Sequence, residues 1–291
     1  MFIGRPKELA QNTELLTQVN RILSARRLDA FAAASGVELR ELPEGCIAGF
    51  DYGTVYLARV GAAVPMVRKR FEERLISDAV VRTTRPDLWR ITGLVANTPE
   101  SLLTVDNDFI AVAVGDPLLV RVAEAFTTGR FKKSKPALSG AALTSLPADL
   151  SQAPLRFYAP GPFTGEWASA ADGVLARALA FGAAVTLPSP SVLQVRLVLS
   201  GAFGPDLEKT RSRLEATWSN LQASTIGHVL HLQEALAPAR ITVRDDTATL
   251  DVAYPVSTLI QGISAAVIDN IGQILGNLPS EGDVPPQPGL R

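Results

Sequence analysis

One short pattern occurs twice in this chain, and it limits the architectures open to it. Leu103 to Pro117 reads LTVDNDFIAVAVGDP, and Ile241 to Pro255 reads ITVRDDTATLDVAYP, aligned without a gap. Thr104, Val105, Asp108, Val114 and Pro117 match Thr242, Val243, Asp246, Val252 and Pro255. Identity this thin carries little by itself. The weight lies in the shared order: an alternating apolar run, an acidic pair suited to a tight turn, a second alternating run, and a proline that opens a helical pattern. A chain that lays down strand, turn, strand and helix twice is expected to be α+β, built as two related modules, each a mainly antiparallel sheet covered by helices.

The rest of the sequence is divided accordingly. Residues 1–128 are read as the first module, 129–136 as a linker, 137–279 as the second module and 280–291 as a disordered tail rich in proline. Glu14 to Ala34 is periodic at helical spacing and stops at Gly36, which supplies a left-handed end. Ile47 to Phe50 and Val55 to Val60 read as strands, and Pro65 opens a helix with Val67, Phe71 and Leu75 on one face. Val80 to Arg85, Leu88 to Ala96, Leu102 to Asp106 and Phe109 to Val114 are four short strands with turn residues between them, so a meander is expected, its last turn at Asn107-Asp108. Asp116 is placed to cap the helix that follows.

In the second half the pattern predicts a short helix at Ala137 to Thr144, a strand at Leu155 to Ala159, a helix from Gly165 to Ala184 and a strand from Val192 to Ser200. A long helix is expected from Asp206 to about Leu236, with Leu207, Leu214, Trp218, Leu221 and His228 as a narrow stripe suited to packing across a sheet. The repeated hairpin and a final helix lined by Val256, Leu259, Ile260, Ile263, Val267, Ile271 and Leu275 complete the chain.

Composition excludes several classes of function. The 28 basic and 29 acidic residues nearly cancel, with a pI near 6.2, so nothing attracts a nucleic-acid backbone or an anionic membrane. A single cysteine, Cys46, precludes an intrachain disulfide, and two histidines leave few metal ligands. No run of 18 or more uncharged apolar residues suggests a membrane span. No export signal is read at Met1, so the compartment is cytoplasmic by default unless an upstream segment has been removed.

The most site-like segment is FYAPGPFTGEW, Phe157 to Trp167, where rings flank a Pro-Gly-Pro turn between a strand and a helix. Tyr158, Phe163 and Trp167 are the residues expected to contact a ligand, although aromatics at such junctions commonly fill the core instead. His228, His231 and Glu234 lie at i, i+3 spacings, but neither a three-ligand zinc set nor the helical zincin spacing is met, so no metal and no cofactor is assigned. Asp106-Asn107-Asp108 lacks the glycine and the closing glutamate of a calcium loop and reads as a turn. The basic run from Arg130 to Lys135 reads as solvated linker. No nucleophile elbow or phosphate loop occurs, and no catalytic residue is assigned.

The final helix and Gly165 to Ala184 are both poor in charge. The first expectation is therefore a non-enzymatic binding or scaffold protein that engages a protein partner, or a second copy of itself, through such helices. The alternative is a carrier for an apolar or lipid-like ligand held between helices and sheet. A hydrolase using unrecognised carboxylates is the third.

Overall fold

The fold is that of a computed structural model, which describes residues 1–76, 79–85, 87–127, 145–169, 171–258 and 260–262. The linker, the helix at Ala137 to Thr144, most of the final helix and the tail lie outside the described residues.

Among the described residues there are twelve strands: β1 (Phe2–Gly4), β2 (Gly45–Phe50), β3 (Gly53–Arg59), β4 (Val80–Arg85), β5 (Leu88–Val95), β6 (Thr98–Val105), β7 (Phe109–Gly115), β8 (Leu155–Pro160), β9 (Ala178–Ser189), β10 (Val192–Gly201), β11 (Arg240–Val243) and β12 (Thr247–Pro255). Among the described residues eight α-helices accompany them: α1 (Pro6–Ala10), α2 (Thr13–Ile22), α3 (Ala25–Ser35), α4 (Val64–Arg74), α5 (Leu118–Thr127), α6 (Glu166–Ser169), α7 (Leu207–Ala223) and α8 (Thr225–Val229). The chain is α+β, and its strands join into one antiparallel sheet in the order β11-β12-β10-β9-β8-β1-β2-β3-β7-β6-β5-β4. Short β1, near the middle, pairs with β8 on one side and β2 on the other.

Register explains how this sheet is covered. Directly paired residues point to the same face. From Ile241 on β11 the pairing passes through Leu250, Leu197, Ala183, Phe157, Phe2, Ile47, Tyr56, Val112, Leu102 and Ile91 to Val81 on β4, one residue per strand and every one apolar. The adjacent row, one residue along and so on the opposite face, contains Arg240, Asp251, Arg196, Arg156, Arg90 and Arg82. The sheet therefore has an apolar face and a mixed one.

Helices cover the apolar face at both ends. On one side Val64, Val67 and Phe71 of α4 pack on Ile91, Leu102 and Ile110, which leaves Leu102 at 0% and Ile91 at 1% exposure. On the other side Leu207 and Leu214 of α7 pack with Leu199, Phe203 and Ala248. Between the two covers the row surfaces: Phe157, Phe2 and Ile47, at 39%, 40% and 39% exposure, lie uncovered. On the mixed face α5 places Leu119 and Val120 over Leu103, Ala111 and Ala113, while Arg90 pairs with Glu124 beside them. Asp116 caps this helix, its carboxylate accepting from the Leu118 N–H at 2.8 Å.

Several sequence expectations require correction. Gly165 to Ala184 is not one helix, because α6 is a single turn and Ala178–Ser189 is strand β9. Its Ala-rich sequence favours helix intrinsically, yet small residues are needed here for packing. Ala180 and Ala184 sit beneath Leu146 and Leu150, and a side chain at Gly182 would come within 2.8 Å of Leu150. The long helix ends at Ala223: Ser224 leaves helical geometry and its hydroxyl caps α8, accepting from the Gly227 N–H at 3.0 Å.

The two copies of the repeated hairpin share their order but not their register. Val105 pairs with Phe109, leaving Asp106, Asn107 and Asp108 in the turn, with positive φ at Asp106 and Asn107, one residue earlier than the sequence suggests. Val243 pairs with Ala248, leaving four residues from Arg244 to Thr247. One extra residue in a turn exchanges the faces of a strand. Leu103 and Val105 accordingly lie under α5, whereas Val243 packs with Leu207 and Leu214 on the opposite face. The helices that follow also diverge, since Val256 packs with Leu15 and Leu193 on the apolar face, and α5 covers the mixed one.

Candidate functional site

Where α7 leaves the apolar face towards the sheet centre, a cleft of about 860 Å³ opens. Its floor is β8, β9, β10 and β12, through Phe157, Ala159, Phe181, Leu197, Leu199 and Leu250. Its roof is one side of α7, formed by Leu214, Thr217, Trp218 and Leu221 at helical spacings of three and four. The inner end is closed by Phe163, Ala171 and Leu175 from the segment that links β8 to β9, and the outer end reaches Gly49 and Asp51 on the β2 side. The uncovered Phe2 and Ile47 continue the floor beyond the mouth.

Local chemistry accounts for the shape. The chain leaving β8 turns back so tightly that a side chain at Gly161 would meet the carbonyl oxygens of Leu179 at 2.7 Å and Ala178 at 2.9 Å. This close approach, fixed by the Gly161 N–H donating to the Leu179 carbonyl at 2.8 Å, carries Phe163 over the floor. Phe157 and Phe181 meet as a tilted pair with ring centroids 5.9 Å apart, a favoured aromatic arrangement. On the roof, Leu214, Trp218 and Leu221 turn towards strands that already pack side chain to side chain. The gap persists because Ala159, Ala171, Ala248 and Gly49 are too small to fill it. A side chain built at Gly49 would meet nothing within 4 Å.

Charge is nearly absent from the walls. Among the described residues Asp51 is the one ionisable side chain that lines the cleft, and it sits exposed at the mouth in the β2–β3 turn. Arginines next to the wall are engaged by acids: Arg213 lies 3.5 Å from Asp172 and Arg177 lies 3.1 Å from Asp206. A cleft of this size, with apolar walls and few polar groups, matches the usual form of a small-molecule site.

Of the residues singled out by sequence, Phe163 lines the cleft. Tyr158 points to the other face, packed against the cluster of Leu146, Leu150 and Ala153, and burial pushes its phenol pKa up. Trp167 lies in α6, and its side chain is outside the described residues. The stripe Leu214, Trp218 and Leu221 was legible as a packing face. Phe181, Leu197 and Leu199 were not, because β9 reads as helix and the contribution of a strand face depends on its neighbours.

The remaining candidates are separate from this cleft. His228 Nδ1 lies 2.9 Å from Gln233 Nε2, and His231 Nδ1 lies 2.9 Å from Glu234 Oε1, so the two imidazoles take different partners. Among the described residues no group of three or more His, Cys, Asp or Glu could hold a metal ion. Cys46 is half-buried in β2, and burial raises its thiol pKa. Among the described residues no helix is long and apolar enough to cross a membrane.

No family model matches the chain, and no curated protein matches it. A solved structure, that of crystal form IV of TP0453, is similar over 90% of this chain and 91% of its own, with 11% sequence identity and a TM-score of 0.45. A likeness of that degree carries no argument about function.

Proposed function

We propose that the protein binds and carries an apolar or lipid-like ligand in the cleft between α7 and the sheet. The observation that supports this reading is the open cleft of about 860 Å³ lined by Phe157, Phe163, Phe181, Leu197, Leu199, Trp218 and their neighbours. Walls this apolar are left facing water unless something covers them, so a ligand that buries them is favoured. A ten-carbon chain placed there gains roughly 8 kcal/mol, at about 0.8 kcal/mol per buried methylene, before association costs are subtracted. The net affinity then lies in the micromolar range at best.

Native mass spectrometry of freshly purified protein, followed by titration with the uncharged dye Nile red, tests the proposal. Adduct masses and saturable dye binding are expected, and Ala159→Trp, which projects a large ring into the cleft, should weaken binding at least tenfold. A uniformly ligand-free protein whose dye binding is absent, or unchanged by Ala159→Trp, would refute it.

The first expectation, a protein partner engaged through charge-poor helices, is less well supported. Gly165 to Ala184 is a single helical turn and loop followed by the start of strand β9, and the final helix lies largely outside the described residues.

We further infer that the chain descends from a duplicated unit. Outward from the central pair, the order β1, β2, β3, β7, β6 on one side parallels β8, β9, β10, β12, β11 on the other. In addition, α4 and α7 each follow the second hairpin strand and cover the same face. The one-residue difference between the turns and the opposite placement of the following helices count as divergence within that reading. A dispersed set of homologues tests it: halves that align in profile over all five strands support duplication, and halves that align nowhere outside the hairpin contradict it.

A further inference from the structure

We propose that the ligand is an amphiphile whose polar end carries a positive charge or none, and that anionic amphiphiles such as free fatty acids are disfavoured. This rests on the apolar-ligand reading and specifies the ligand's chemistry. A protein that holds a carboxylate-headed chain gains most by placing a cation at the polar end of the site. Among the described residues no lysine or arginine lines the cleft. Of the arginines next in sequence to wall residues, Arg156 and Arg196 lie in the row on the opposite face, paired with Glu44 and Asp251, and Arg213 faces Asp172; Arg177, two residues beyond Leu175, faces Asp206.

What the mouth does present is a carboxylate. Among the described residues Asp51 has neither an ion-pair partner nor a hydrogen-bond partner for its side chain, and it stands where the apolar floor meets solvent. An alkyl chain drawn in under Trp218 leaves its head at this rim. There an ammonium is attracted, a hydroxyl can donate to the carboxylate, and a second carboxylate is repelled. A single rim charge about 4 Å from the head, in water, changes affinity by about fivefold in either direction.

The test uses three probes with the same chain, dodecylamine, dodecanol and dodecanoate, each displacing Nile red from the full-length protein at neutral pH and low salt. The amine should bind about fivefold more tightly than the alcohol and the acid about fivefold more weakly, with high salt compressing both ratios. Asp51→Asn should bring the three within about twofold of one another while leaving the alcohol unchanged, and Asp51→Glu should restore the order. Dodecanoate binding as tightly as dodecanol, or an order that survives Asp51→Asn, overturns the proposal and leaves the cleft reading standing. Failure of all three chains to displace the dye overturns the cleft reading itself.

Discussion

Replacing Gly227 with alanine separates the observed course of the chain from the one its sequence suggests, because the two predict opposite signs. In an unbroken helix from Asp206 to Leu236, Gly227 would be an interior glycine, and alanine there would stabilise by about 1 kcal/mol. In the structure the chain breaks at Ser224 and folds back, so a methyl group at Gly227 would be driven into the Leu221 carbonyl oxygen and would lie 2.7 Å from that of Gln222. Both obstacles are backbone and cannot rotate away. Forcing a group into such a site typically costs about 1–3 kcal/mol. Thermal unfolding followed by circular dichroism reads the difference, at roughly 2–4 °C per kcal/mol for a chain somewhat smaller than this one. The expected result is a fall of about 3–10 °C. Since Leu221 also forms part of the cleft roof, Nile red affinity should fall with it. A raised melting temperature would refute the break and the position of α7 that depends on it.

Other substitutions test other parts of the account. Glu124→Ala leaves Arg90, 8% exposed, without its ion-pair partner beneath α5, and should cost about 3–5 kcal/mol in urea unfolding, a loss that Arg90→Met together with Glu124→Leu should largely recover. Glu100 has its carboxyl pKa raised by burial, partly offset by Arg74 at 3.4 Å. With the folded-state value above the unfolded one, its contribution to stability is present at low pH and lost as pH rises through the folded value. Glu100→Gln should therefore exceed wild type in melting temperature at neutral pH and match it near about pH 3. A gap that persists in acid would contradict this assignment. Asp116→Ala removes the cap of α5 and should cost about 1 kcal/mol by the same unfolding assay.

Some of this architecture was legible because local signals and tertiary structure agreed. The strands from Val80 to Gly115 alternate, turn residues separate them, and they form the expected meander. Gly36 ends α3 with φ of 76°, and Val67 and Phe71 face the core as their spacing predicts. Strand β9 was hidden because Ala180, Gly182 and Ala184 are small for the sake of Leu146 and Leu150, residues some thirty positions earlier in the chain, and an alanine-rich run has no strand signature of its own. The cleft was less legible still. It is not a motif but a space, left where one helical cover stops short of another over a row that draws Phe157, Phe2 and Ile47 from three distant segments. Phe163 and the stripe through Trp218 could be found from sequence. That they face one another across that space could not, since strand order decides it.

A direct test of the central claim is quenching of Trp218 by a fatty alcohol brominated along its chain, in a variant carrying Trp89→Phe and Trp167→Phe so that Trp218 alone emits. Because Trp218 forms part of the cleft roof, the account predicts saturable quenching with a micromolar midpoint, weakened at least tenfold by Ala159→Phe, which fills the cleft without adding a second indole. Emission that is insensitive to the brominated chain, or that declines linearly without saturation, would mean that no apolar ligand occupies the space beneath α7.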